Sequence, residues 1–140
     1  MKRASLLLAI ACAFLILQVV AQGPKPGGQN SFRNYDPKTE TTVSGTVQEV
    51  LLQSGGNRGT GTHVTLKTDD STFDVHLGPT AYLEKEGLSL KKGDTIEVTG
   101  SKQNFNNTDV LIAREIKNSG KVFTLRDTQG RPAWSGRKTP

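Results

Sequence analysis

Among the 140 residues there is one cysteine, Cys12, and it lies inside the longest apolar run. A lone cysteine excludes an intramolecular disulfide framework, and outside that run no thiol is present for nucleophilic or redox chemistry. No serine occupies a Gly-x-Ser-x-Gly frame. The stretch Gly56-Asn57-Arg58-Gly59-Thr60-Gly61-Thr62 has the glycines of a phosphate loop but lacks its lysine, and it joins two strand patterns where a phosphate loop enters a helix. The carboxylates are scattered over strand and turn patterns, with no apolar setting that would raise one for acid catalysis. These absences point to a protein that is not an enzyme.

What is present divides unevenly. Residues 1–21 carry 17 apolar residues behind Lys2 and Arg3. The remaining 119 residues hold 30 apolar residues and a net charge of +3, which allows one small core and argues against several domains or several membrane spans. The charged start, the run over residues 6–20 and the Val19-Val20-Ala21 exit match a secretory signal cut after Ala21, with no transmembrane span left after cleavage. Residues 22–39 are rich in glycine and proline and predict a flexible leader, because they bury too little surface to offset the entropy of ordering. Residues 40–135 form the domain and 136–140 a tail.

The domain reads with period two. Val43 and Val47 alternate correctly, but Val50 and Leu52 are out of phase with them, which predicts a bulge near Gln48-Glu49. Val64 and Leu66, then Phe73, Val75 and Leu77, then Ile96 and Val98 alternate with polar residues. Val110, Ile112 and Ile116 are assigned to one face of the next strand, and Leu111 and Ala113 to the other. Phe123 and Leu125 close the series. One segment, residues 80–86, is helical in pattern, preceded by Pro79 and stopped by Gly87. Three strands, a short helix and two or three further strands predict an all-β, five- to six-stranded OB-fold-like Greek-key barrel with its helix between strands 3 and 4.

Placing Asp69-Asp70 at the turn between strands 2 and 3 sets the register. Val64 then faces Val75, and Leu66 faces Phe73. The same register puts His63 opposite His76 on the outer face, with Asp74 two residues along. Opposed residues have Cβ atoms about 4.5–5.5 Å apart, so His63, His76 and Asp74 form a candidate Zn²⁺ or Cu²⁺ site. OB-folds commonly bind ligands across strands 2 and 3 between the loops after strands 1 and 4, here residues 53–61 and 101–109. The ligand-binding candidates are therefore Arg58, Lys67, Lys102 and Phe105. A base can stack on Phe105 while the cations meet phosphates, which keeps nucleic acid as a second ligand class. Trp134 is expected to pack over the barrel end.

Several stretches together carry a resemblance. They are Val43-Ser44-Gly45-Thr46-Val47, the segment from Phe73 to Pro79 with its Leu77-Gly78-Pro79 ending, Gly93-Asp94-Thr95-Ile96-Glu97-Val98-Thr99-Gly100, and Leu125-Arg126-Asp127 with Gly130, Pro132 and Trp134. Over about residues 42–135 the chain resembles a group of small exported bacterial OB-fold proteins that includes the magnetosome MamS/MamX-type domain. It is more distantly similar to a periplasmic stress-tolerance OB-fold family. The resemblance implies the fold and an exported location, periplasmic or secreted; the residues themselves read as a non-catalytic binding module that takes a protein or a small anionic ligand through the strand-2/3 face or an edge strand. Some magnetosome relatives carry a c-type haem motif. This chain has no Cys-x-x-Cys-His, so haem is not expected.

Overall fold

The computed structural model describes residues 35–136; the predicted signal segment, most of the leader and the last four residues lie outside them. The chain forms β1 (Glu40–Ser54), β2 (Thr60–Lys67), β3 (Thr72–Pro79), α1 (Thr80–Glu86), β4 (Thr95–Phe105), β5 (Thr108–Asn118) and β6 (Lys121–Thr124), with short 3₁₀ turns between and beside them. The strand order is β3-β2-β1-β4-β5-β6, and a parallel pairing of β3 with β5 closes the first five strands into a barrel. β6 is an added strand on β5.

β1 makes closure possible by serving two partners. Residues 40–46 pair with β4, and residues 46–54 pair with β2. The changeover falls at Thr46, next to Gly45, where a Cβ would collide with the carbonyl oxygen of Lys67. Only glycine lets β1 bend this closely over β2. The register slips between Val47 and Glu49, so the bulge predicted from the phase change is present. α1 ends at Gly87 in the left-handed conformation, as the sequence pattern required.

The core joins Val47, Val64, Leu66, Phe73, Val75, Leu77, Leu83, Ile96, Val98, Leu111, Ala113, Ile116, Phe123 and Leu125. Two sequence expectations are corrected here. Ile116 shares the core with Leu111 and Ala113, because the β4–β5 register slips where Thr99 pairs with Glu115 but Gly100 with Ala113. The skipped residue, Arg114, reverses the phase. In addition, β4 runs on to Phe105, and the expected loop 101–109 shrinks to a two-residue turn, Asn106-Asn107, with φ of 48° and 62°. Asparagine tolerates that left-handed pair, which matches the twist of a hairpin.

The barrel is finished by both chain ends. Tyr35 to Thr39, read from the sequence with the leader, pack on it. Asp36 caps the first 3₁₀ turn, its backbone N–H donates to Ser101 Oγ at 3.1 Å, and Tyr35 lies on Gly130. Tyr35 donates to Glu40, which also accepts two 2.9 Å hydrogen bonds from Arg114. At the other end Trp134 lies over Gly78 and 5.3 Å from the Tyr82 ring. This is the packing over the barrel end expected from the sequence. Arg126 is fully buried where β3 and β5 part; its Nη1 donates to the carbonyls of Leu77 and Ala113. Its guanidinium carbon is 5.0 Å from the Trp134 ring centroid.

Candidate functional site

The β2–β3 hairpin adopts the register read from the sequence. Val64 pairs with Val75, Leu66 with Phe73, and His63 with His76. Asp69-Asp70 forms the turn, closed by the Thr68 N–H donating to the Ser71 carbonyl at 2.9 Å. Continued through the barrel, this register builds a row of successive Cα partners: Leu51 on β1, His63 on β2, His76 on β3, Ile112 on β5 and Ser101 on β4. The row lies on the face turned away from the main core.

The expectation that His63 and His76 stand on an open outer face is corrected. They are only 5% and 8% exposed, and Ile112 and Ser101 beside them are fully buried. Alternation within one strand separates two faces, but it does not say that the second face is open. The ring centroids of the two histidines are 3.9 Å apart, with the planes tilted by 42°. Asp74 lies between them. Its Oδ2 is 3.1 Å from His76 Nε2, and its Oδ1 is 3.4 Å from His63 Nδ1. Burial pushes the Asp74 carboxyl up, but the interactions with His63 and His76 outweigh it and hold the group well below the usual carboxylate range. The side chain of Asp74 is 36% exposed, so the cluster is reached from solvent on that side.

Of the four ligand-binding candidates, Arg58 stands apart, while Lys67, Lys102 and Phe105 lie around the end of the barrel where Phe73 pairs with Asp109. Arg58 lies in the 3₁₀ turn after β1, at the Gly61–Pro79 end of the β2–β3 hairpin. Lys67 lies at the other end, paired with Thr72. Lys102 is on β4, not in a loop; its Nζ is 3.9 Å from Asp109 and 5.3 Å from the Phe73 ring centroid. Phe105 is 52% exposed beside the Asn106-Asn107 turn, and it is the only aromatic among the exposed large apolar side chains of the described residues.

A second feature was missed in the sequence. The turn before β4 holds β1 at Val47 from both sides: the Val47 N–H donates to the Asp94 carbonyl and the Gly93 N–H to the Val47 carbonyl, each at 2.8 Å. Beyond this point residues 49–54 pair with β2 alone, and among the described residues no strand lies on their other edge. Beside that edge is an apolar groove of about 320 Å³, lined by Val50, Leu52, Leu77, Leu83, Leu88 and Leu90. Leu52 is 65% exposed. The available signal was the pair Leu88 and Leu90, apolar residues in a stretch with no strand period, together with the phase of Val50 and Leu52.

A five-stranded barrel closed by β3 on β5, with one helix between β3 and β4, defines a small binding-type domain of OB-fold architecture. The model of the MamS/MamX magnetosome protein family matches residues 39–123, and the chain belongs to that family. A small single-stranded DNA-binding protein from Streptomyces coelicolor is a similar solved structure, with 17% identity and a TM-score of 0.41. The similarity covers 57% of this chain and 93% of that one. No curated protein matches the chain. Among the described residues no helix is long and apolar enough to cross a membrane.

Proposed function

We propose that this chain is an exported, non-catalytic binding module whose ligand is an extended segment of another protein, added as a strand to the open edge of β1. One observation carries the reading: the unpaired edge of residues 49–54 runs beside the groove lined by Val50, Leu52, Leu83, Leu88 and Leu90. Such an edge supplies main-chain hydrogen bonds, which give affinity, and the groove takes alternate side chains, which give specificity. Unpaired edges are otherwise blunted by charge or covered, because they invite association. Here Leu52 stands open on the edge instead.

Export is supported by residues 1–21, with their charged start, apolar run and Ala21, and a periplasmic or secreted location follows from them. The family takes its name from the magnetosome. The family match supports a small binding-type domain. A nucleic-acid or small anionic ligand is less well supported. Arg58 and Lys67 stand at opposite ends of the hairpin, Lys102 is engaged with Asp109, and Phe105 is a single stacking platform.

A displayed library of random octapeptides, selected on the purified protein, tests the reading. The expected outcome is enrichment of sequences with apolar residues at alternate positions, whose binding is lost in Leu52→Asp and Leu90→Asp. Enriched peptides that bind both variants as well as the parent would refute it. A dimer in sedimentation that Leu52→Asp abolishes would also refute it, because the edge would then be occupied by a second copy of the chain.

A further inference from the structure

The geometry points to a binding site for one divalent transition-metal ion, Zn²⁺ or Cu²⁺, formed by His63, Asp74 and His76. This goes beyond the peptide edge on β1 and does not depend on it.

The argument starts from spacing. One donor atom from each of the three residues lies within 4.8 Å of the other two. His63 Nδ1 stands 3.4 Å from Asp74 Oδ1 and His76 Nε2 3.1 Å from Asp74 Oδ2, so each imidazole–carboxylate pair is spaced like one edge of a coordination tetrahedron, each through a different oxygen. Ligands about 2.0–2.1 Å from a zinc ion stand about 3.3–3.4 Å apart in that geometry. An ion can therefore enter with small side-chain rotations and no change of strand register. The register itself is held from both sides, because β2 pairs with β1 and β3 with β5.

The chemistry of the donors selects the ion. Two imidazoles and one carboxylate suit zinc and copper, whereas magnesium and calcium take oxygen sets. Asp74 supplies a second sign. Its two oxygens face one ring each, Oδ1 toward His63 Nδ1 and Oδ2 toward His76 Nε2. A metal ion would neutralise the carboxylate between the rings. The 36% exposure of the Asp74 side chain leaves a route in from solvent.

The sequence makes the test unusually clean. The chain has two histidines, so at one ion per chain a signal from two imidazoles comes from this pair or from none. The full protein, prepared without a histidine tag and stripped with a chelator, would be titrated with ZnCl₂, CuCl₂ and MgCl₂ by calorimetry and followed by thermal unfolding. Zn²⁺ and Cu²⁺ should bind one per chain and raise the melting temperature through preferential binding to the folded state, and Mg²⁺ should do neither. His63→Ala, His76→Ala and Asp74→Asn should each lower the affinity by more than the roughly 10- to 100-fold that loss of an outer-shell partner costs. Because these residues are largely buried, electron paramagnetic resonance of Cu²⁺ on the parent protein gives an independent readout. Superhyperfine splitting from two imidazole nitrogens supports the site even where a variant does not fold. Binding unchanged in all three variants, or a Cu²⁺ spectrum without two imidazole nitrogens, would overturn it.

Discussion

His63 and His76 face each other across the β2–β3 ladder, with ring centroids 3.9 Å apart. Their meeting is a consequence of register. A slip of one residue would turn Val64, Leu66, Phe73 and Val75 out of the core, so the apolar residues that fill the barrel also bring the two rings together.

The register predicts a contrast on a single strand. Val75 is fully buried in the core, and Thr72 at the start of β3 is exposed. Val75→Asp should lower stability by about 3 kcal/mol or more, the cost of a buried carboxylate without a partner. Thr72→Asp should stay within about 0.5 kcal/mol of the parent. Urea unfolding followed by circular dichroism measures both, and equal losses would contradict the register.

Trp134 and Gly78 predict a coupling. Gly78 has φ of +148°, and a Cβ there would approach within 2.5 Å of the Trp134 ring. Gly78→Ala should therefore suffer twice, from its backbone and from the indole. In a Trp134→Ala background only the backbone part remains, so the two losses should fall short of additivity by about 1 kcal/mol. Strict additivity in a double-mutant cycle would show that the indole does not rest on Gly78.

Arg126 predicts a large effect from a polar residue. Burial lowers its guanidinium to about 10, so it remains charged at neutral pH while capping the Leu77 and Ala113 carbonyls. Arg126→Ala strips both carbonyls of that donor, at about 1–3 kcal/mol for an unsatisfied buried group, and opens a cavity under Trp134. The expected loss in chemical denaturation is about 3 kcal/mol; a change below about 0.5 kcal/mol would mean the seam does not need it.

Tyr35 predicts a pH dependence at the alkaline end. Burial, then the hydrogen bond to Glu40 and that carboxylate's charge, raise its phenol to about 12. The unfolded chain ionises its tyrosines near about 10. Between about 10 and about 12 the unfolded state loses this proton while the folded state keeps it, so stability falls as pH rises through that window. Tyr35→Phe should flatten the fall. In the folded protein the absorbance rise of tyrosinate at 295 nm should be late, and Tyr35 ionising near 10 before unfolding would contradict the account.

Much of this was legible because local rules and the barrel agree. The Asp69-Asp70 turn and the alternation on both sides of it gave the β2–β3 register. The phase change after Val47 gave the bulge, and Pro79 and Gly87 bracketed α1. The misreadings come from contacts that no local period encodes. The Arg114 bulge moved Ile116 to the core. The polar run through Asn106 and Asn107 looked like a loop, but it forms a tight hairpin turn. Closure of β3 on β5 is a pairing between segments more than 30 residues apart, and it sets Ile112 beside His76. The candidate site was therefore visible as a pair of opposed histidines, and its burial was not.

The most direct test of the proposed function is amide hydrogen exchange on the protein with and without a peptide selected from the octapeptide library. Alternate amides of residues 49–54 should exchange quickly in the free protein and become protected in the complex, with Leu52 and Leu90 resonances shifting alongside. Protection confined to the edge of β6, around the half-exposed Val122, or to the β2–β3 hairpin would contradict the assignment of the ligand to β1.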